Sequence, residues 1–146
     1  GYIEEAFLAY KTERYNIKGK DVVAGNCKYY LNDLSFKNFL YPGFAYGVGY
    51  LLENAVYLEL RRLGYIVYTG SFRDKEVDFV AMKDDRVIYL QATYMLETAQ
   101  TMEREYAPLL TIGDNYEKYV VSMDEVQFPS NEGVRHIQAW NLKEIL

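Results

Sequence analysis

Apolar positions along this 146-residue chain recur at two spacings. From residue 47 to 63, Leu51, Leu52, Ala55, Val56, Leu58 and Leu60 fall at helical spacing, and Gly64 stands where a helix ends in a left-handed cap. After that the period shortens to that of strands. Residues 65–69, 76–82 and 87–94 read as three strands, with the charged run 83–86 as a hairpin loop between the last two. Residues 97–110 return to a helix, with Pro108 distorting its last turn. Residues 118–123 and 134–138 are two more strands, and 142–146 a final helical turn. Upstream, Ile3, Phe7, Leu8 and Tyr10 predict a short helix over 3–10. Strands follow at 12–18 and 28–31, with Gly19 and Lys20 as a turn between them. Asn32 and Asp33 cap a turn over 34–40, and Tyr41-Pro42-Gly43 breaks the chain. A hairpin followed by a strand–helix–strand crossover predicts an α/β (α+β) fold, a mixed sheet flanked by helices.

Composition narrows the function classes. The 16 basic and 21 acidic residues leave a net charge of −5, which argues against gripping nucleic acid by charge alone. Cys27 is the one cysteine, so an internal disulfide framework and a Cys-rich zinc site are both excluded. No run approaches the ~20 apolar residues of a membrane helix, and the first residues lack the pattern of a signal peptide. The expectation is a cytoplasmic domain with no membrane partner. Gly1 in place of an initiator Met suggests a piece of a longer protein. The 16 tyrosines are the unusual feature. Six of them lie between Tyr29 and Tyr57, among Phe36, Phe39 and Phe44, with only Lys28 and Lys37 interleaved. A base-stacking platform needs more basic residues than that, so packing is expected, within the domain or against a neighbouring part.

The candidate chemistry is acidic. Strand alternation puts Glu76 and Asp78 on one face, with Val77 and Phe79 on the other, and lets Gln91 and Thr93 share a face of the next strand. Glu53 lies on the preceding helix. A helical carboxylate, a strand carboxylate and an oxygen ligand on the paired strand suit one hard divalent cation.

This arrangement resembles the PD-(D/E)XK nuclease superfamily and its restriction-endonuclease-like core of order αβββαβ. The resemblance implies Mg²⁺ held by Glu53, Asp78 and the Gln91 position. The segment Gln91-Ala92-Thr93 replaces the E-x-K pair of the superfamily. Gln91 offers a neutral oxygen, and Thr93 offers no cation beside an attacking water. Five segments occur in order: RYNIKGK from Arg14, KYYLND from Lys28, LENAVYLELRR from Leu52, EVDFV from Glu76 and DNYEKY from Asp114. Together they resemble the C-terminal domain of unknown function of prokaryotic AAA-type ATPases. That resemblance implies residues 1–46 as an N-terminal extension, the end of a winged-helix region with connecting strands, and 47–146 as the nuclease-like domain. It also implies as partners the ATPase and winged-helix parts of the same protein. A homo-oligomer and nucleic acid remain open as further partners, and no cofactor is expected in this segment apart from Mg²⁺ under the nuclease reading.

Each residue also has a plainer role. Glu53 pairs with a neighbouring Lys or Arg. Asp78, in an apolar strand, needs some partner, and an Arg or a backbone amide serves as well as a metal. Gln91 and Thr93 become inert polar groups on a former active face. Lys75 and Lys83 are loop lysines able in principle to replace the missing one. His136, the one histidine, reads as a core or edge residue. Arg61 and Arg62 suit the helix C-terminus. Gly47-Val48-Gly49 lacks the rest of a dinucleotide fingerprint, and there is no P-loop motif. The leading expectation is therefore a non-catalytic interaction or regulatory domain. The alternative is a weak Mg²⁺-dependent nuclease using Glu53, Asp78 and Gln91, and a metal-free nucleic-acid-binding domain stands third.

Overall fold

A computed structural model describes residues 8–36 and 47–146 of the chain. Within them lie β1 (Ala9–Asn16), β2 (Asp21–Leu31), α1 (Val48–Arg62), β3 (Ile66–Phe72), β4 (Lys75–Lys83), β5 (Arg86–Ala92), α2 (Ala99–Leu110), β6 (Glu117–Ser122) and β7 (Val134–Gln138), then a 3₁₀ turn at Ala139–Glu144. All seven strands form one mixed sheet of order β2-β1-β3-β4-β5-β6-β7. The hairpins β1–β2, β3–β4 and β4–β5 are antiparallel, whereas β1–β3, β5–β6 and β6–β7 are parallel. The strands on both sides of residue 46 thus belong to the same sheet.

The helix expected over 3–10 is corrected where it is described. Ala9 and Tyr10 open β1, because Tyr10 pairs with Tyr30 across the β1–β2 ladder and its ring packs on Tyr57, 5.9 Å between centroids. Its residues 3–7, the rest of the turn to residue 40 and the Tyr41-Pro42-Gly43 break lie outside the described residues. The final helical turn comes earlier than expected, as the 3₁₀ segment after β7.

The α1 helix ends as its sequence requires. Gly64 takes φ +88°, its N–H donates to Arg61 O, and the N–H of Tyr65 reaches back to Leu60 O at 3.0 Å. These are the two bonds of a Schellman cap, which satisfies carbonyls left open at a helix end. At α2, Thr98 accepts from the N–H of Thr101.

The sheet separates two apolar cores. On the α1 side Leu52, Val56, Tyr57 and Leu60 pack on Tyr30, Val67, Phe79, Ala81, Ile88 and Leu90. On the α2 side Tyr106 and Leu109 pack on Val77, Val80, Tyr89, Val120 and Val134. Val77 and Phe79 therefore face opposite cores, although alternation expects them on the same face. The cause is a β-bulge. Tyr68 pairs with Val80 and Gly70 with Val77, so Asp78 and Phe79 together oppose Thr69 alone. The extra residue slips the alternation by one and turns Asp78 and Phe79 to the α1 side.

Tyrosine explains much of the α1 core. Tyr30 and Tyr57 are both buried and stack with centroids 4.2 Å apart at 15°. This part of the aromatic run packs inside the domain, while Tyr29 is half exposed. Phe39, Tyr41, Phe44 and Tyr46 lie outside the described residues. No helix among the described residues is long and apolar enough to cross a membrane.

Candidate functional site

Three elements deliver charge to one point on the α1 side. The β2 strand brings Lys28 and, two residues on and so on the same face, Tyr30. The β4 strand brings Glu76 and, from its bulge, Asp78. The α1 helix brings Glu53. It is held over β2 by Asn54, fully buried, whose amide accepts from Leu31 N–H at 2.8 Å and donates to Leu31 O at 2.9 Å. A buried asparagine here pairs with a strand backbone as another strand would.

The ammonium of Lys28 stands at the centre. Its Nζ lies 2.9 Å from Glu53 Oε1, 2.9 Å from Glu76 Oε1 and 3.4 Å from Asp78 Oδ1. The Tyr30 hydroxyl donates to Glu53 Oε1 at 2.7 Å, and Arg14 holds the other Glu76 oxygen at 2.9 Å. Burial works against the Lys28 charge, but the adjacent Asp78 and Glu53 outweigh it and hold the amine above its ordinary pKa. Burial, reinforced by the Glu53 charge, pushes the Tyr30 hydroxyl well above its usual range, so it stays a donor. Burial and then the Glu53 charge push the Asp78 carboxyl up to about 7, against the pull of Lys28 and of the Ala92 N–H.

Asp78 and Gln91 meet at the end of the β4–β5 pair, the side chain of one against the main chain of the other. The β4–β5 ladder ends at Phe79 and Leu90. Beyond it, the N–H of Asp78 donates to Gln91 Oε1 at 3.2 Å, and the N–H of Ala92 donates to Asp78 Oδ2 at 2.9 Å. These two side chains take up main-chain N–H groups just beyond the end of the β4–β5 ladder. Ile88, Leu90 and Ala92 all pack on the α1 side, so alternation directs Gln91 to the other face of β5. Its oxygen is engaged by the Asp78 main chain. Thr93 extends the β5–β6 pairing through its N–H to Val121 O at 3.0 Å, and its side chain is buried outside the Lys28 cluster.

Of the residues singled out from sequence, Glu53 and Asp78 converge, Gln91 touches Asp78 through its backbone, and Thr93 stands apart. Neither loop lysine reaches the centre. Lys83 donates to Leu63 O at 2.9 Å, and Lys75 lines a groove on the α2 side. The cation at the centre, Lys28, has no chemical role in the sequence pattern, where it is a strand residue and one of two basic residues interleaved in the aromatic run. The available signal was its alternation with Tyr30, a charged residue on the face that carries a core aromatic.

His136 is buried, as a core histidine should be, and its hydrogen bonds run the wrong way for it to act as the base of Ser122. Its Nδ1 accepts from Phe128 N–H at 3.2 Å, which leaves the proton on Nε2, 2.8 Å from Ser122 Oγ. The Ser122 hydroxyl in turn donates to Asp124 Oδ2 at 2.7 Å. A histidine that donates to serine is not the base of a catalytic triad. Arg62 forms a two-bond pair with Glu59, and Arg61 lies over the Tyr10 ring.

A Haemophilus influenzae protein described as uncharacterized is 36% identical to this chain over 120 residues. Those residues are 82% of this chain and 29% of that protein, so the chain spans less than a third of its relative's length. No family model matches the chain, and no solved structure does either.

Proposed function

We propose that this chain is a non-catalytic, nuclease-like module of a larger AAA-type ATP-binding protein, working as an interaction or regulatory domain. Lys28 carries the reading. Metal-dependent hydrolysis needs clustered carboxylates with free lone pairs and a divalent ion that activates water. Here an ammonium on the chain itself occupies the point where Glu53, Glu76 and Asp78 meet and pairs with all three, and the oxygen of Gln91 is bound to a backbone amide. The element order α1-β3-β4-β5-α2-β6, with an acid on the helix and another at the β4 bulge, supports descent from a nuclease core. The greater length of the Haemophilus relative supports a parent protein with further parts. The five sequence segments that resemble the C-terminal domain of AAA-type ATPases suggest which parts those are.

A second reading, a metal-dependent nuclease, draws support from the same convergence of three carboxylates. It requires Lys28 to leave the centre when the metal enters. One experiment separates the two. The chain is incubated with plasmid, single-stranded DNA and RNA in Mg²⁺ or Mn²⁺, and the same ions are titrated by calorimetry. No cleavage and no binding heat are expected. Metal-dependent cleavage that vanishes in Asp78→Ala would overturn the non-catalytic reading.

A further inference from the structure

On the face of the sheet opposite the Lys28 cluster, a groove of about 640 Å³ runs between α2 and the segment 128–131. Its floor and walls include Met102, Tyr106, Leu110 and Phe128. This volume falls within the ~300–1,000 Å³ typical of small-molecule sites. Both walls are held in place. The α2 helix is anchored through buried Tyr106 and Leu109. The opposite wall is pinned to β7 by Phe128 N–H on His136 Nδ1, Ser130 Oγ on Val134 O, and a pair of backbone bonds between Asn131 and Val134. The groove is thus formed before any ligand arrives.

Two charged residues line it, Lys75 and Glu103, and neither forms an ion pair with the described residues. They differ in surroundings. Glu103 is exposed, so water screens its charge, whereas Lys75 is partly buried at the start of β4. Alternation explains the position of Lys75. Glu76 and Val77 follow it on opposite faces, and Lys75 shares the α2 side with Val77. A cation beside an apolar wall and short of a counter-ion favours an anion that brings its own apolar body.

We infer that this groove binds small apolar monocarboxylates, with the hydrocarbon against Met102, Tyr106, Leu110 and Phe128 and the carboxylate on Lys75. Glu103 opposes the ligand's charge and weakens binding. The site is independent of the Lys28 cluster and of any nuclease ancestry.

Octanoate is the probe, with octan-1-ol as its uncharged counterpart, and amide shifts in ¹⁵N NMR locate and quantify binding. Octanoate should shift the amides of Met102, Leu110 and Phe128 and bind about tenfold more tightly than octanol. Lys75→Met should bring octanoate to or below the level of octanol, because Glu103 still opposes the carboxylate. Glu103→Gln should tighten octanoate and leave octanol unchanged, an opposite sign that general damage to the fold does not produce. Ala107→Trp, which fills the groove, should abolish both. Equal binding of the two probes would assign the groove to an uncharged apolar partner and overturn the inference, as would octanoate shifts spread over the surface or an unchanged affinity in Lys75→Met.

Discussion

Lys28 on β2 and Glu53 on α1, 25 positions apart in sequence, meet at 2.9 Å, and their contact joins the edge of the sheet to the helix that covers it. The pair is less than a third exposed on either side. Removing the cation leaves three carboxylates facing one another in a site of reduced dielectric. Lys28→Met should lower stability by about 2 kcal/mol, read as a drop in the urea midpoint with an unchanged slope. An unchanged midpoint would mean that the carboxylates are already relieved by solvent.

The pH dependence of Asp78 has a definite sign. Its carboxyl titrates near 7 in the folded chain, against about 3.9 when unfolded. Between those values the native state holds the extra proton, so this group's contribution to stability is complete below about pH 4 and is lost as pH rises towards 7. Asp78→Asn keeps an oxygen for the Ala92 N–H and removes the titration. The stability of the variant relative to the native chain should therefore rise between pH 4 and pH 7. A difference that stays flat across that range would show that Lys28 keeps Asp78 ionised.

His136 behaves oppositely. Burial lowers its pKa, with Asp124 pulling the other way. Its contribution is present above the unfolded value of about 6.5 and is lost as pH falls through it, because the unfolded chain takes the proton first. It is the one histidine in the chain, so its ring proton signal can be followed without ambiguity. The NMR titration midpoint should lie below 6.5. A midpoint above it would require Phe128 to have released Nδ1.

Two tyrosine hydroxyls offer a paired test. That of Tyr30 donates to Glu53, whereas that of Tyr106 is buried with no hydrogen-bond partner among the described residues. A buried unpaired hydroxyl costs free energy, and a bond to a charged acceptor contributes about 1.5–3 kcal/mol. Tyr30→Phe should destabilise by about 2 kcal/mol, and Tyr106→Phe should be neutral or stabilise by up to about 1 kcal/mol. Thermal melts of the two variants check both signs, and equal losses would contradict the assignment.

The sequence was sufficient for whatever depends on local period and cap chemistry. The α1 helix with its Gly64 cap, the three strands after it, the hairpin at 83–86 and the α2 helix all follow from residues that are neighbours in the chain, and so does the placing of Glu53 on a helix and Asp78 on a strand. Local pattern misjudged Tyr10, because an apolar residue at helical spacing was in fact paired across a ladder with Tyr30. It also misjudged the facing of Val77 and Phe79, because a bulge is a property of two strands. Only the opposition of Asp78 and Phe79 to Thr69 reveals it. Tertiary structure alone decided what meets the acids. Lys28 is remote from Glu53, Glu76 and Asp78 in sequence, and their attraction acts through space. The sheet order β2-β1-β3-β4 and the anchoring of α1 by Asn54 bring that ammonium among the carboxylates, and the end of the β4–β5 ladder leaves Gln91 to bind a backbone amide.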